Sequence, residues 1–248
     1  GGIAGLLYGY ALNITIQSST IKGQATTGGV AGQMLGTGSS TDKTIENASV
    51  KDSTVFSYAT DSGFCDCAVG GIVGVVRTGG GGGSGGQVIY SSTENTNVTW
   101  DPSGPYQDWY MTYVGGIAGF TWGDGPATTM VISHNTVTGG TVTGVNDVGG
   151  VVGASDHTTI TDCKSSATVV GTRSVGGFAG IAHGPLLRVS ATGNVTGVNE
   201  VGGLVGFHYA NPISKSFSSG TVTATGSHVG GLIGRNNFDL SDSYSFST

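Results

Sequence analysis

One glycine-rich signature recurs along the chain and limits what it can fold into. Val201-Gly202-Gly203-Leu204-Val205-Gly206 returns at Val229–Gly234, Val175–Gly180, Val148–Gly153, Val114–Gly119 and Val69–Gly74, with looser copies at Gly28–Gly32 and Gly1–Gly5. Between first glycines, the eight copies stand 27, 42, 45, 34, 27, 26 and 28 residues apart. Repeats of this size stack, because no single unit can bury a face alone. The residue two after the first glycine is always large and apolar: Ile3, Val30, Ile72, Ile117, Val151, Phe178, Leu204 and Leu232. Such a position is expected to form a column of core side chains, with the glycines allowing close backbone approach.

Two more segments recur. One is a strand such as Ile213–Ser218, echoed at Thr159–Cys163 and Leu240–Tyr244. The other is a five-residue strand, Gly140–Gly144, Ala167–Gly171, Gly193–Gly197 and Gly220–Ala224, whose central Val alternates with Thr or Asn. Period-2 alternation is the signature of a half-buried strand. Three short strands per unit predict an all-β fold: a β-solenoid, or parallel β-helix, of about eight coils and roughly 35–40 Å in length at ~4.8 Å per coil. Propeller blades need ~40 residues each, more than the short steps provide. The expected organisation is one solenoid domain over 1–248, irregular with insertions over 1–147 and regular over 148–248.

The V-G-G-L-V-G runs, followed by S-x-S-F/Y and G-x-V-T-G, resemble the GLUG motif, a repeat named for its Gly-Leu-any-Gly core. That motif occurs in large secreted and cell-surface proteins, including adhesins and stalk regions of immunoglobulin-A-cleaving metallopeptidases. The likeness is close over 148–248 and looser before it. It implies a secreted or cell-surface location and a structural or adhesive role, and it brings no activity with it. The H-E-x-x-H zinc motif of those peptidases is absent.

Composition narrows the partners. Nine basic against 15 acidic residues give a net charge of −6, a field that does not attract nucleic acid. No apolar run approaches the ~20 residues of a membrane helix. The chain lacks an initiating Met and a signal peptide, and Gly1 falls inside a repeat, as expected of a processed chain or a piece of a longer one. The sequons at Asn13, Asn47, Asn97 and Asn194 are candidate N-glycosylation sites. Cys65, Cys67 and Cys163 lack metal-site spacing. They leave three alternatives open: a Cys65–Cys67 bridge, a bridge to Cys163, or a link between chains.

No catalytic constellation emerges, so the expectation is a non-enzyme without metal or cofactor. His157, His183 and His208 follow their first glycines by 8, 7 and 6 residues, a slipping offset that reads as turn residues rather than a ligand stack. Asp61, Asp66, Asp124, Asp147, Asp156 and Glu200 sit in turn-like contexts. Gly79–Gly86 reads as a flexible loop, because no Lys and no helix follow it. The aromatics Trp100, Tyr106, Trp109, Tyr110 and Trp122, stiffened by Pro102 and Pro105, form a candidate glycan or partner contact. The competing reading is a satellite core closing over the solenoid. Thr141/Thr143, Thr168, Asn194/Thr196 and Thr221/Thr223 are expected to align like the T-x-T arrays of ice-binding solenoids, interrupted by Val170 and Asn194. Both ends look uncapped, which suggests either head-to-tail stacking into a homopolymer or excision from a longer stalk. The leading expectation is an extracellular fibre subunit or adhesive stalk whose partner is itself. The alternative is a module that binds surface glycans, with ice binding a lesser possibility.

Overall fold

Every unit winds once and lays down five short strands. In the turn that begins at Val152 they are Val152–Asp156, Thr158–Thr161, Lys164–Ser165, Thr168–Val170 and Arg173–Gly176. The structure is a computed structural model that describes residues 1–36, 43–58, 67–78, 86–101, 111–123 and 130–247. Among these, equivalent strands of successive turns pair in parallel to build five sheets, the first three of eight strands and the fourth and fifth of seven. The fold is a β-solenoid. The described residues form no helix, hence none long and apolar enough to cross a membrane.

The expected three strands per unit are five, because two of the three are bent. The strand over 213–218 splits into Ile213–Ser214 and Phe217–Ser218 around Lys215, whose φ is +51°. The same left-handed corner recurs at Asn13, Asn47, Tyr90, His134, Asp162, Arg188 and Asp242. Only the Asn and Asp members announce such a conformation in sequence, since bulkier residues rarely enter it. The glycine signature is likewise two strands folded about its Gly-Gly pair, as in Arg173–Gly176 and Ala179–Ala182.

That fold-back explains the glycines. A Cβ on Gly176 would overlap the Ala179 carbonyl of its own turn, and one on Gly177 would overlap the Gly203 carbonyl of the next coil. The third glycine lets the first and fifth sheets touch backbone to backbone: a Cβ on Gly153 would meet the Val114 amide. The apolar residues after the pair then stack as expected. Ile3 through Leu204 each donate N–H to the carbonyl of the equivalent residue one coil on, ending at Leu232, over 2.8–3.0 Å. Val30, Ile72, Ile117, Val151, Phe178 and Leu204 are fully buried, each contributing on the order of 1.5–3 kcal/mol.

A second ladder is polar and internal. At the corner between the second and third sheets, the residue after the left-handed position points inward and bonds the preceding coil. Ser91 Oγ accepts from Ala48 N (3.1 Å), Asn135 Oδ1 from Ser91 N (2.8 Å), Cys163 Sγ from Asn135 N (3.4 Å) and Ser216 Oγ from Val189 N (3.2 Å). Buried polar side chains persist here because each satisfies a corner amide. Cys163 thus stands where other coils use Ser. It is a free thiol whose pKa burial pushes up to about 12, so a bridge to Cys163 is not formed. Cys67 is disulfide-bonded, while Cys65 lies outside the described residues.

Candidate functional site on the outer face

The first sheet begins one residue before the third glycine of each signature, and the residues one and three places after that glycine face outward. Register stacks the nearer set in one column: Leu6, Gln33, Val75, Phe120, Ala154, Ile181, Phe207 and Arg235. Beside it runs a second column that includes Arg77, Trp122 and Asp156 in register, with His183 and Tyr209 at the equivalent places. Part of this face forms an apolar cluster separate from the solenoid core, made of Ala68, Val75, Tyr113 and Ala154 with Phe120 and Ile181 against them.

The face is rich in rings. Tyr113, from the fifth sheet, stacks on Phe120 with centroids 4.3 Å apart and planes 11° from parallel. Trp122 is 40% exposed, tilted against Phe120, with the Arg77 guanidinium 5.0 Å above its ring. His183 stacks on Tyr209 at 4.3 Å, Tyr209 meets Phe207 edge-on, and Arg235 covers Phe207 at 4.8 Å. Guanidinium over an aromatic face is attractive by about 0.5–1 kcal/mol when exposed.

Acidic groups lie along the same groove. Asp147, Ser174, Glu200 and His228 share a left-handed bulge position in the fifth sheet. Burial pushes the Asp147 carboxyl up to about 7, aided by the charge of Glu200 and opposed by a hydrogen bond from Ser174 and the charge of Arg173. Burial also acts to raise Glu200, but bonds from Ser174 (2.9 Å), Arg235 (3.2 Å) and Arg173 (3.3 Å) outweigh it and hold that pKa below the usual range. Asp156 Oδ1 lies 2.9 Å from His157 Nδ1 and 3.7 Å from His183 Nδ1. Burial, with the charge of His157, lowers the His183 pKa against the opposing pull of Asp156. No group of three or more His, Cys, Asp or Glu side chains among the described residues is arranged to hold a metal ion.

The aromatic cluster expected from sequence is divided. Trp100 is not available to a ligand: it is 4% exposed and packs in the core, because it shares the inward parity of Val98. Trp122 is on the outer face. Tyr106, Trp109 and Tyr110 lie outside the described residues, as do Pro102, Pro105, Asp61, Asp66, Asp124 and Gly79–Gly85. His208 is buried, with Nδ1 2.6 Å from Asn236 Oδ1 and Nε2 2.6 Å from the Asn211 carbonyl. The four sequon asparagines are exposed. Asn47 donates to Asn13 (2.7 Å), Asn97 Oδ1 accepts from the Thr141 hydroxyl (2.8 Å), and Asn194 Oδ1 accepts from the Thr221 amide (3.0 Å). Thr141 pairs with Thr168 and Thr196 with Thr223, so the Thr array is in register. Lys22, Phe56 and Val170 break its second column. Sequence reading missed Phe207 and Tyr209 as surface groups, although their places one and three after Gly206 match those of Phe120 and Trp122 after Gly119.

Comparison with known proteins agrees with this architecture. The GLUG motif family matches residues 144–170. Halomucin from Haloquadratum walsbyi is 37% identical over 123 residues, 42% of this chain but only 1% of Halomucin. A crystal structure from Bacteroides ovatus, of a protein named as a candidate immunoglobulin A1 protease, superposes with a TM-score of 0.63. It is 16% identical, over 93% of this chain and 67% of that one. At that identity the likeness concerns the fold alone.

Proposed function

We propose that this GLUG-bearing β-solenoid is an extracellular structural module, a stalk or fibre segment whose role is carried by shape and surface rather than catalysis. The observation that carries the proposal is the stacking itself: equivalent strands pair in parallel on five sheets, and Val30, Ile72, Ile117, Val151, Phe178 and Leu204 form one buried column along the stack. Such a stack gains length simply by adding like rungs, which suits a stalk. The same parallel pairing between copies would be a heterologous contact that propagates as a fibre.

Negative-stain microscopy and sedimentation of the purified chain over a concentration series test this. Rods that lengthen with concentration are expected. Dispersed monomers at every concentration would contradict the fibre reading. A second reading, contact with surface glycans, is favoured by the exposed ring face of Trp122, Phe207 and Tyr209, since aromatic bodies with polar tips suit such surfaces.

A further inference from the structure

One rung of the outer face lacks its bulky side chains. Phe120 and Ile181 flank Ala154 in the first-sheet column. Tyr113 and Ser174 likewise flank Asp147 in the fifth sheet, as the pairing of Val114, Val148 and Val175 requires. The gap is a notch of about 270 Å³, bounded by Tyr113 and Phe120 on one side and by Ile181 and His183 on the other, with Ala154 between and Asp147 and Asp156 bordering it.

We propose that this notch binds one neutral hexopyranose ring of an extracellular polysaccharide, stacked on Phe120 in the space that Ala154 leaves unfilled. This deepens the glycan reading of the outer face and rests on it, naming the ring class and the rung that takes it. The spacing supports a flat ring. Phe120 and Ile181 are two rungs apart, about 9.6 Å at the inter-strand spacing, and ring stacking requires roughly 4.5–7 Å between centroids. A ring midway therefore contacts both walls. Elsewhere in this molecule rings on adjacent rungs occupy that geometry: Tyr90 on His134 at 4.8 Å and Phe217 on Tyr244 at 5.6 Å. The platform is already ordered, because Tyr113 backs Phe120 before any ligand arrives, and preorganised sites lose less freedom on binding.

The polar groups favour a sugar over an apolar ring. Asp147, Asp156 and His183 line the slot. A polyol can add hydrogen bonds to those Asp156 already shares with His157 and Asp147 with Ser174, whereas an apolar occupant would cover these groups and return none. The Asp156 carboxylate and a net charge of −6 oppose acidic sugars.

Affinity electrophoresis of the 248-residue chain through gels containing laminarin, galactan, dextran, chitosan or polygalacturonate tests the assignment. At least one of the three neutral glycans should retard the protein. Ala154→Phe, which fills its rung of the column as Phe120 and Phe207 fill theirs, should weaken retardation at least tenfold with an unchanged circular dichroism spectrum. Phe120→Ala should do the same by removing the platform. Tyr90→Ala, an exposed ring at the corner between the second and third sheets, should be retarded like the parent. The proposal is overturned if no neutral glycan retards the chain, if only a charged polymer does, if Ala154→Phe binds as strongly as the parent, or if Tyr90→Ala loses binding equally.

Discussion

The last hundred residues and the first 147 solve the same problem with different amounts of chain. Beyond Val148 each coil takes 26–28 residues and the strands follow one another almost directly. Before it, three units take 42, 45 and 34 residues. Yet the strands of the long units keep the register of the short ones: Val73 pairs with Ala118 and Ala118 with Val152. The surplus falls at 37–42 and 79–85 and 124–129, after first-sheet strands, and at 59–66 and 102–110, after fourth-sheet strands. Length varies at two points in the order of strands, while the described strands keep one cross-section. What stays constant is the fold-back at the paired glycines and the apolar residue behind them, because the first glycine packs on its own turn and the second glycine and apolar residue contact the next coil.

That distinction between stacked and unstacked positions can be broken most severely at glycine. Gly177→Val places side-chain atoms on the Gly203 carbonyl of the next coil, and no cooperative thermal transition is expected. Gly5→Val adds a side chain where nothing lies within 4 Å, and the melting curve should move by no more than about 0.5 kcal/mol, as for an ordinary surface change. A core truncation comes next. Phe178→Ala should cost roughly 3–5 kcal/mol, while Ile3→Ala, at a position 58% exposed, should be near neutral in the same chemical-denaturation series.

Asp147, at the boundary of the two regions, sharpens the comparison through pH. Its pKa is about 7 when folded against 3.8 ordinarily, so the native state holds a proton that the unfolded chain releases. Stability is therefore full below pH 4 and falls as pH rises towards 7. Asp147→Asn should remove that loss, raising stability by about 2–4 kcal/mol at pH 8 and by little at pH 4; equal melting temperatures for parent and variant at pH 8 would refute the assignment. Glu200, held low, acts oppositely and weakens the fold as pH drops through its depressed pKa. The smallest effect belongs to Cys163→Ser. Ser occupies the equivalent rung at 91 and 216, so the change should stay within about 1 kcal/mol by thermal melting.

Much of this was legible in the residues. The glycine signature, the invariant aliphatic place behind it and the G-x-V-T-G alternation fixed a parallel stack with one coil per unit. The five-sided cross-section was not, because Tyr90, His134, Arg188 and Lys215 turn corners through left-handed backbone that their side chains do not advertise. Their conformation is imposed by neighbouring coils, above all by inward-bonded partners such as Ser91 and Asn135. The aromatic surface was half read. Proximity in sequence grouped Trp100 with Trp122, whereas strand parity sends the first into the core and the second outward. Periodicity counted from the third glycine would have joined Trp122 with Tyr209 instead.

The central claim is that one unit equals one rung, however long the unit is. Pulsed electron paramagnetic resonance between nitroxides on the fourth sheet measures it directly. Thr20 and Thr141 are three rungs apart, as are Thr141 and Thr221, although far more chain separates the first pair. Both pairs should give the same distance distribution, centred near the value expected for backbones about 14 Å apart. A longer distance for the pair that spans the insertions would contradict the account.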